Sequence, residues 1–452
     1  MVYLLGIDFG TSGGRAIVLS PPSQDRGISE VAGQSRTEAP QGLTGAALAQ
    51  AWWDQLKTLL EQLPIALRQR LGAIAINGTS STVLLATPAG EVVAGPLMYN
   101  DDRGRSALKT FATLLPETSG ARSATSTLAK VWWWRGDRFG NRWPEPPYAP
   151  LIFHQADWLS FQLHGQLHRP SPSAHPRAIS DYHNALKLGY DPIALAYPHP
   201  LQTSDFGHSL PHVVAPGSII GPILPAIAQR FNINPHCQIV AGTTDSIAAF
   251  LASGADQPGE AVTSLGSTLV LKQLSTVPVN APEFGIYSHR LGDRWLVGGA
   301  SNTGGAVLQQ FFSTAELTHL SQRINPAIPS PHDYYPLIKP GERFPINDPD
   351  LPPRLTPRPD DDSEYLQGLL EAIARIEAKG YQRLAELGAD PLTQIQTAGG
   401  GAQNPTWTVI RQRYFSVPVT IAAQTEAAYG SAKLAAIALV SNNSPTPPLA
   451  ES

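Results

Sequence analysis

The sequence predicts an α/β fold built from two like halves. Two observations carry this. Apolar runs short enough for strands alternate with stripes spaced for helices. A strand–glycine turn–strand opening also occurs twice, across residues 2–19 and again across 262–274. Each opening leads into helical segments and then a strand ending in a polar or glycine loop, as an internal duplication would. Such recurrences also arise by chance in α/β chains, so duplication is an expectation. The break between halves is placed in the small, polar stretch 253–259.

The elements follow in order. Residues 2–7 and 15–19 are apolar and flank Gly10 to Gly14, which predicts a β-hairpin. A helix is expected over 45–63, because Trp52, Leu56, Leu59, Leu60 and Leu63 share one stripe before Pro64. Residues 71–76 read as a buried strand running into Asn77-Gly78-Thr79-Ser80, and Trp132 to Trp134 read most simply as helix core, with an edge that could line a sugar pocket. In the second half, strands over 262–265 and 269–274 enclose Gly266-Ser267-Thr268. A strand over 295–297 leads through a glycine-rich turn into a helix over 306–312. A long helix runs from Ser363 as N-cap to about residue 387, with Gly388 as its stop. The strand 395–397 ends in Ala398-Gly399-Gly400-Gly401. Segments 137–150, 169–177 and 331–361 read as loops, and the Asn/Ser/Pro-rich tail after 441 as frayed.

Composition excludes several classes of function. Hydrophobic residues make up 42% of the chain, ample for packed cores, and charged residues only 15%. Lys and Arg number 32 against 36 Asp and Glu, a net charge of −4, without the basic excess of a nucleic-acid binder. Cys237 is the only cysteine, which excludes an internal disulfide framework and a multi-cysteine zinc site. Residues 1–7 lack a basic region, so no secretory signal is read. No apolar run approaches the roughly 18 residues that span a bilayer. The expectation is a soluble, cytoplasmic protein.

Three segments carry candidate chemistry. In Asp8-Phe9-Gly10-Thr11-Ser12-Gly13-Gly14-Arg15 a carboxylate ends a buried strand beside a turn whose glycines let backbone N–H groups approach an anion. An aspartate there is costly without a cation or donors, and Asp8 suits Mg²⁺ held through water. Gly266-Ser267-Thr268 is a second phosphate-loop candidate. Alone it is an ordinary turn, whereas paired with the first it would close on one polyphosphate. Val240-Ala241-Gly242-Thr243-Thr244-Asp245-Ser246 reads as strand, polar turn and helix, with Asp245 at the helix amino terminus. There it is either a capping residue or a general base. Glycine turns at 298–305 and 399–401 lie where strands meet helices. No Walker or G-x-G-x-x-G pattern is present. His164, His168, His175 and His183 straddle a Pro/Ser-rich loop and are not read as a metal site.

Together these motifs resemble the FGGY family of carbohydrate kinases. Asp8-Phe9-Gly10-Thr11-Ser12, Asn77-Gly78-Thr79-Ser80, Gly242-Thr243-Thr244-Asp245, Leu265-Gly266-Ser267-Thr268 and Ala398-Gly399-Gly400-Gly401 occur in the family's order, and Ser180-Asp181-Tyr182-His183-Asn184-Ala185 is similar to its segment preceding Asp245. Gln155-Ala156-Asp157-Trp158-Leu159 and Asp333-Tyr334-Tyr335-Pro336-Leu337 resemble its cyanobacterial and plant branch of D-ribulose kinases, also described as xylulose-kinase-like. The resemblance implies two ribonuclease-H-like domains of the actin-type ATPase kind around a central cleft. Residues 1–252 would bind sugar, with helix 427–440 packing back on them, 253–426 would bind nucleotide, and 441–452 would form a flexible tail.

The resemblance also implies ATP and Mg²⁺ as cofactors. Asp245 would be the catalytic base. Asp8, with Ser12, Gly13 and Asp245, would meet the sugar, and Asp8 would hold Mg²⁺ through water. Thr11, Gly266, Ser267, Thr268, Gly304, Gly400, Gly401 and Asn404 would surround the nucleotide. The implied reaction is phosphorylation of a free ketopentose, D-ribulose first and D-xylulose as the rival. Sugar and ATP are the expected partners, with no nucleic acid, membrane or specific protein partner. An actin- or chaperone-like ATPase would share the phosphate hairpins but leaves the Asp245 and 180–185 segments unexplained. The chain departs from the family in the short side chains of Ser80-Ser81-Thr82 and in an apparent insertion at 169–177, which leaves the sugar's identity open.

Overall fold

A computed structural model describes residues 2–21 and 30–441, so the tail read as frayed lies outside the described residues. The chain forms two compact units, Met1–Ala252 with Glu426–Ser452, and Ser253–Thr425.

The first unit is built on β1 (Tyr3–Gly10), β2 (Gly13–Leu19), β3 (Val31–Glu38) and β4 (Leu71–Gly78). Its smaller sheets use β5 (Val83–Ala86), β6 (Val92–Leu97) and β7 (Leu151–His154), then β8 (Ile179–Asp181) with β9 (His212–Val214). Finally β10 (Ile219–Pro222) and β11 (Gln238–Thr244) complete the main sheet in the order β10-β11-β4-β1-β2-β3. Side chains alternate across each strand. Leu5, Ile7 and Phe9 of β1 pack with Trp52, Leu56, Leu59 and Leu60 of the helix Gly45–Gln62. The opposite face mixes Leu4, Ile17, Leu19 and Val240 with small residues. There Ala73 and Ala75 of β4 meet Ala428, Ala432, Ala435 and Ala438 of the chain's last helix, Ala427–Ser441. A Cβ on Gly6 would stand 1.9 Å from the Ala428 carbonyl oxygen, so helix and strand touch backbone to backbone.

The second unit contains β12 (Glu260–Leu265), β13 (Leu269–Ser275), β14 (Tyr287–Leu291), β15 (Arg294–Ala300), β16 (Gln394–Ala398) and β17 (Val419–Ile421), ordered β14-β15-β13-β12-β16-β17. The duplication expected from sequence is visible in this topology. β12, β13, β15, β16 and β17 repeat β1, β2, β3, β4 and β11 in neighbour order and in direction. Behind the second sheet, the helix Asp362–Glu386 and the helix Pro405–Gln412 are joined by a buried pair. Arg411 Nε donates to Glu377 Oε2 at 2.6 Å, and Arg411 Nη1 donates to Thr397 Oγ1 of β16 at 2.6 Å. Thr263 of β12 donates to the same Glu377 carboxylate.

Three local expectations differ from the structure. The long helix is capped by Asp361, whose carboxylate accepts from the Ser363 N–H at 2.8 Å, and not by Ser363 itself. Four consecutive cap-forming residues, Asp360 to Ser363, leave the start ambiguous, and an anionic acceptor wins over the hydroxyl. The helix expected over 306–312 is a single α turn, Gly305–Leu308. In the tryptophan run, only Trp134 is buried. Trp132 and Trp133 are half-buried beneath the guanidinium groups of Arg135 and Arg103.

The Gly6 contact sets a packing prediction. Gly6→Ala forces the last helix away from β1 and should cost about 1–3 kcal/mol through overpacking, read as a lower urea midpoint with an unchanged slope. A variant as stable as the parent contradicts the backbone contact.

Candidate active site

The register of the first sheet gathers the candidate residues at one end. Asp8 on β1 stands opposite Arg15 on β2 and beside Asn77 on β4. Asn77 and Gly78 in turn lie beside Thr243 and Thr244 of β11, and Asp245 follows directly as the first residue of the helix Asp245–Ser253. Thr11 and Ser12 are exposed at the β1–β2 turn. Gly13 is buried with φ +131°, and a Cβ there would meet the Thr37 carbonyl oxygen at 2.0 Å, so that position admits only glycine.

Asp8 is 7% exposed, and its Oδ1 finds no hydrogen-bond partner. Burial, reinforced by the negative charge of Asp245 and opposed by Arg15, pushes its carboxyl up to about 7. Arg15 Nη1 donates to Glu426 Oε2 at 2.8 Å, at the entry to the last helix. Asn77 Nδ2 donates to Ser431 Oγ of that helix at 2.7 Å, while Asn77 Oδ1 is also without a partner. The amino-terminal turns of two helices, Asp245–Ser253 and Ala427–Ser441, thus face the strand ends that carry the carboxylates, where a helix terminus favours negative charge. A buried side-chain network supports β11. His183 Nδ1 lies 2.7 Å from Thr243 Oγ1, and Asp181 caps the following turn by accepting from the N–H groups of His183 and Asn184 at 2.8 and 3.1 Å.

In the second unit, a cavity of about 460 Å³ opens at the ends of β12 and β16. Gly266, Ser267, Gly400, Gly401, Asn404 and Trp407 are among its lining, and no charged side chain is. Nothing stands within 4 Å of a Cβ built on Gly400. Thr268 and Gly304 lie behind this lining. A Cβ on Gly304, with φ +144°, would come within 2.7 Å of the Thr268 backbone. The loop after β15 is tied to the glycine turn, since Gly305 N–H donates to Gly266 O at 2.9 Å and Ala306 N–H to Ser267 O at 3.1 Å. That loop is held from behind by buried Glu342, which accepts from Ser301 Oγ at 2.6 Å, the Asn302 N–H at 2.7 Å and Tyr335 Oη at 3.0 Å. The amide of Asn404 is engaged structurally. Its Oδ1 caps the helix Pro405–Gln412 by accepting from Trp407 N–H, and its Nδ2 donates to Ser321 Oγ at 2.8 Å.

Sequence reasoning reached Asp8, Asp245 and the glycine loops because each stands in a short local signal. It missed the supporting roles of Arg15, His183 and Glu342. Arg15 was within reach, because residues flanking a tight hairpin face one another across it.

These residues suit ATP and magnesium. An orphaned, buried carboxylate oxygen fits a cation or its bound water, and an uncharged glycine-lined cavity beside backbone N–H groups fits a nucleotide. Among the described residues no group of three or more His, Cys, Asp or Glu side chains is arranged to hold a metal ion. The remaining ligands would therefore be water and phosphate.

Two units repeating one strand order define an α/β protein of two like domains. Residues 261–439 match the family model described as the C-terminal domain of the FGGY family of carbohydrate kinases. A ribulokinase of Halalkalibacterium halodurans is 22% identical over 301 residues, 59% of this chain and 52% of that protein. A xylulose kinase of Escherichia coli is 22% identical over 433 residues, 89% of this chain and 83% of that one. A crystal structure described as a "xyloylose kinase" from Brucella ovis superposes with a TM-score of 0.82 at 20% identity, covering 97% of this chain and 91% of that one. The match thus spans about half the length of the ribulokinase and most of the xylulose kinase. Residues 261–439 thus carry the likeness to the C-terminal domain of the FGGY carbohydrate kinases, and nearly the whole chain shares the fold of the Brucella ovis kinase.

The buried Asp8 carboxyl gives a pH prediction. Its folded pKa is raised, so the stability it contributes when protonated is complete at low pH and lost as pH rises through about 7. Asp8→Asn should therefore gain stability over the parent progressively between about pH 4 and 7 and hold that gain above, by on the order of 1–4 kcal/mol. Urea midpoints of both proteins from pH 5 to 8 measure it. A pH-independent difference would place the carboxyl in its ordinary range.

Proposed function

We propose that this chain is a cytoplasmic kinase that transfers the γ-phosphoryl group of ATP to a hydroxyl of a free ketopentose, with D-ribulose converted to D-ribulose 5-phosphate as the preferred reaction. The observation that carries the reading is the pair Asp8 and Asp245 at one end of the first sheet, the first nearly buried and the second half-buried at a helix amino terminus. Their environments differ, and so do their roles. The N–H groups of the helix Asp245–Ser253 favour ionised Asp245, and Ser246 N–H donates to its Oδ1 at 2.7 Å. Asp245 is the group suited to accept a proton at neutral pH. As the sugar oxygen takes the phosphoryl group and ADP leaves, the hydroxyl proton passes to the Asp245 carboxylate. Asp8 orients the sugar and the water ligands of the cation. Thr11 offers a hydroxyl to phosphate, and Ser12 and Gly13 shape the turn that faces the sugar. Magnesium-bound ATP supplies the phosphoryl group and neutralises the charge that develops on its oxygens.

The second unit receives the nucleotide. Gly266, Ser267, Gly400 and Gly401 present backbone to the phosphates, while Thr268, Gly304 and Asn404 fix the loops that do so. D-Xylulose is the second candidate substrate, supported by the xylulose kinase likeness that runs over 89% of this chain.

Incubation with ATP, Mg²⁺ and a panel of free sugars, followed by identification of the phosphorylated product, tests the reading. ADP release should depend strictly on a pentulose, whereas sugar-independent release would favour a switch-type ATPase. Asp245→Asn should keep sugar affinity and lose about 10²–10⁴ in turnover. Turnover near that of the parent would reduce Asp245 to a helix cap.

A further inference from the structure

The turn at residues 79–82 leaves β4 at the same sheet end as Asp8 and Asp245, one residue beyond the Phe9–Gly78 and Gly78–Thr244 neighbours. Its side chains are short, yet it is tightly held. Thr82 N–H donates to Thr79 O at 3.2 Å, closing the turn. The Thr79 and Thr82 hydroxyls lie 2.6 Å apart. Gln155 Oε1 accepts from both the N–H and the hydroxyl of Thr79 at 3.1 Å. Ser81 sits at the third position of the turn with φ +67°, a conformation that favours glycine and costs a serine about 1 kcal/mol or more. Glycine is absent from this position, so something else must secure the backbone.

That support is Lys130. It lies in the helix Thr127–Asp137, is fully buried, and its Nζ donates to the Ser81 carbonyl oxygen at 2.7 Å. Burial pulls its ammonium down to about 7, with Asp101 acting in the opposite sense. A buried lysine is costly to keep, and no part of the phosphoryl-transfer chemistry uses it. Its helix is itself braced, because a Cβ on Gly104 would stand 2.3 Å from the Ala129 carbonyl oxygen.

We infer that Lys130 is a positioning residue for sugar selectivity: by bonding the Ser81 carbonyl it holds turn 79–82 as a rigid wall beside Asp8 and Asp245, so that a pentulose is distinguished by fixed backbone and short hydroxyls and not by long side chains. The inference rests on the sugar-kinase reading. It adds a residue outside the reacting groups. Lys130 does not touch the sugar, since its side chain is closed off from solvent.

Lys130→Met keeps length and apolar stem while removing the donor, and Lys130→Gln keeps a shorter donor. For Lys130→Met, the sugar KM should rise about tenfold or more and the ATP KM should stay within about twofold. The ratio of kcat/KM between D-ribulose and D-xylulose should fall about fivefold. Lys130→Gln should fall between Lys130→Met and the parent. Amide hydrogen exchange provides a readout that needs no substrate. Thr79 and Thr82 should exchange at least about tenfold faster in Lys130→Met while Ile74 and Ile76 of β4 keep their protection. Unchanged exchange at the turn, or unchanged sugar KM and epimer ratio in a folded variant, overturns the role. If Lys130→Met does not fold, a Lys130→Gln protein with parental exchange and selectivity overturns it equally. If the parent phosphorylates no sugar, the kinase reading falls and selectivity falls with it, while the exchange arm still decides whether Lys130 holds the turn.

Discussion

A carboxylate at the end of an apolar strand is the constraint around which the first unit is arranged. Asp8 follows Leu4, Leu5 and Ile7 into a sheet covered on both faces, and water is nearly excluded from it. A second carboxylate, Asp245, makes ionisation harder still. The cost of burying such a group is relieved by protonation and by positive potential supplied nearby. Here that potential comes from Arg15 across the hairpin and from the amino-terminal turns of two helices. Glu426 in turn fixes Arg15. The orphaned Oδ1 remains after all of these are counted.

The last helix couples this site to the fold. It can lie against β1 and β4 only because the facing positions are Gly6, Ala73 and Ala75 and its own are Ala428, Ala432, Ala435 and Ala438. Close approach lets Ser431 reach Asn77, and Lys433 Nζ donate to Leu251 O at 2.9 Å on the helix that begins with Asp245. A Cβ on Gly430 would stand 1.8 Å from the Ala248 carbonyl oxygen of that same helix. The two helices therefore hold each other, and the strand ends, in one geometry. Loss of the small-residue face would disturb Asp8 and Asp245 together without touching either.

What was legible in the sequence follows from the range of the interactions. The two hairpins announce themselves locally, through apolar runs either side of Gly10–Gly14 and of Gly266–Thr268, and the structure forms β1–β2 and β12–β13 there. The α/β class and the repeated strand order rest on the same short signals. The pairing of Arg15 with Glu426 joins residues 411 positions apart, and no local pattern marks it. The clasp of Glu342 on Ser301 and Asn302 was equally hidden, because it arises from a proline-dense stretch that reads as plain loop. Asn404 shows the opposite difficulty. Its position at a glycine loop before a helix is legible, but only coordinates show that both ends of its amide are already committed to capping and to Ser321.

The duplicated frame also carries two kinds of strand end on one topology. In the first unit the ends of β1 and β11 carry Asp8 and Asp245. In the second, the end of β12, which answers to β1, and that of β16, which answers to β4, run through Leu265-Gly266-Ser267-Thr268 and Ala398-Gly399-Gly400-Gly401, without an acidic residue in either segment. The difference has a direct electrostatic sense. A polyphosphate carries several negative charges, and carboxylates lining its cavity would repel it, whereas neutral glycine turns offer N–H dipoles at close range with no charge to desolvate. A sugar hydroxyl is neutral and must give up a proton, which requires a carboxylate near it and no phosphate-binding loop. The same strand order thus ends in carboxylates in one unit and in uncharged glycine turns in the other.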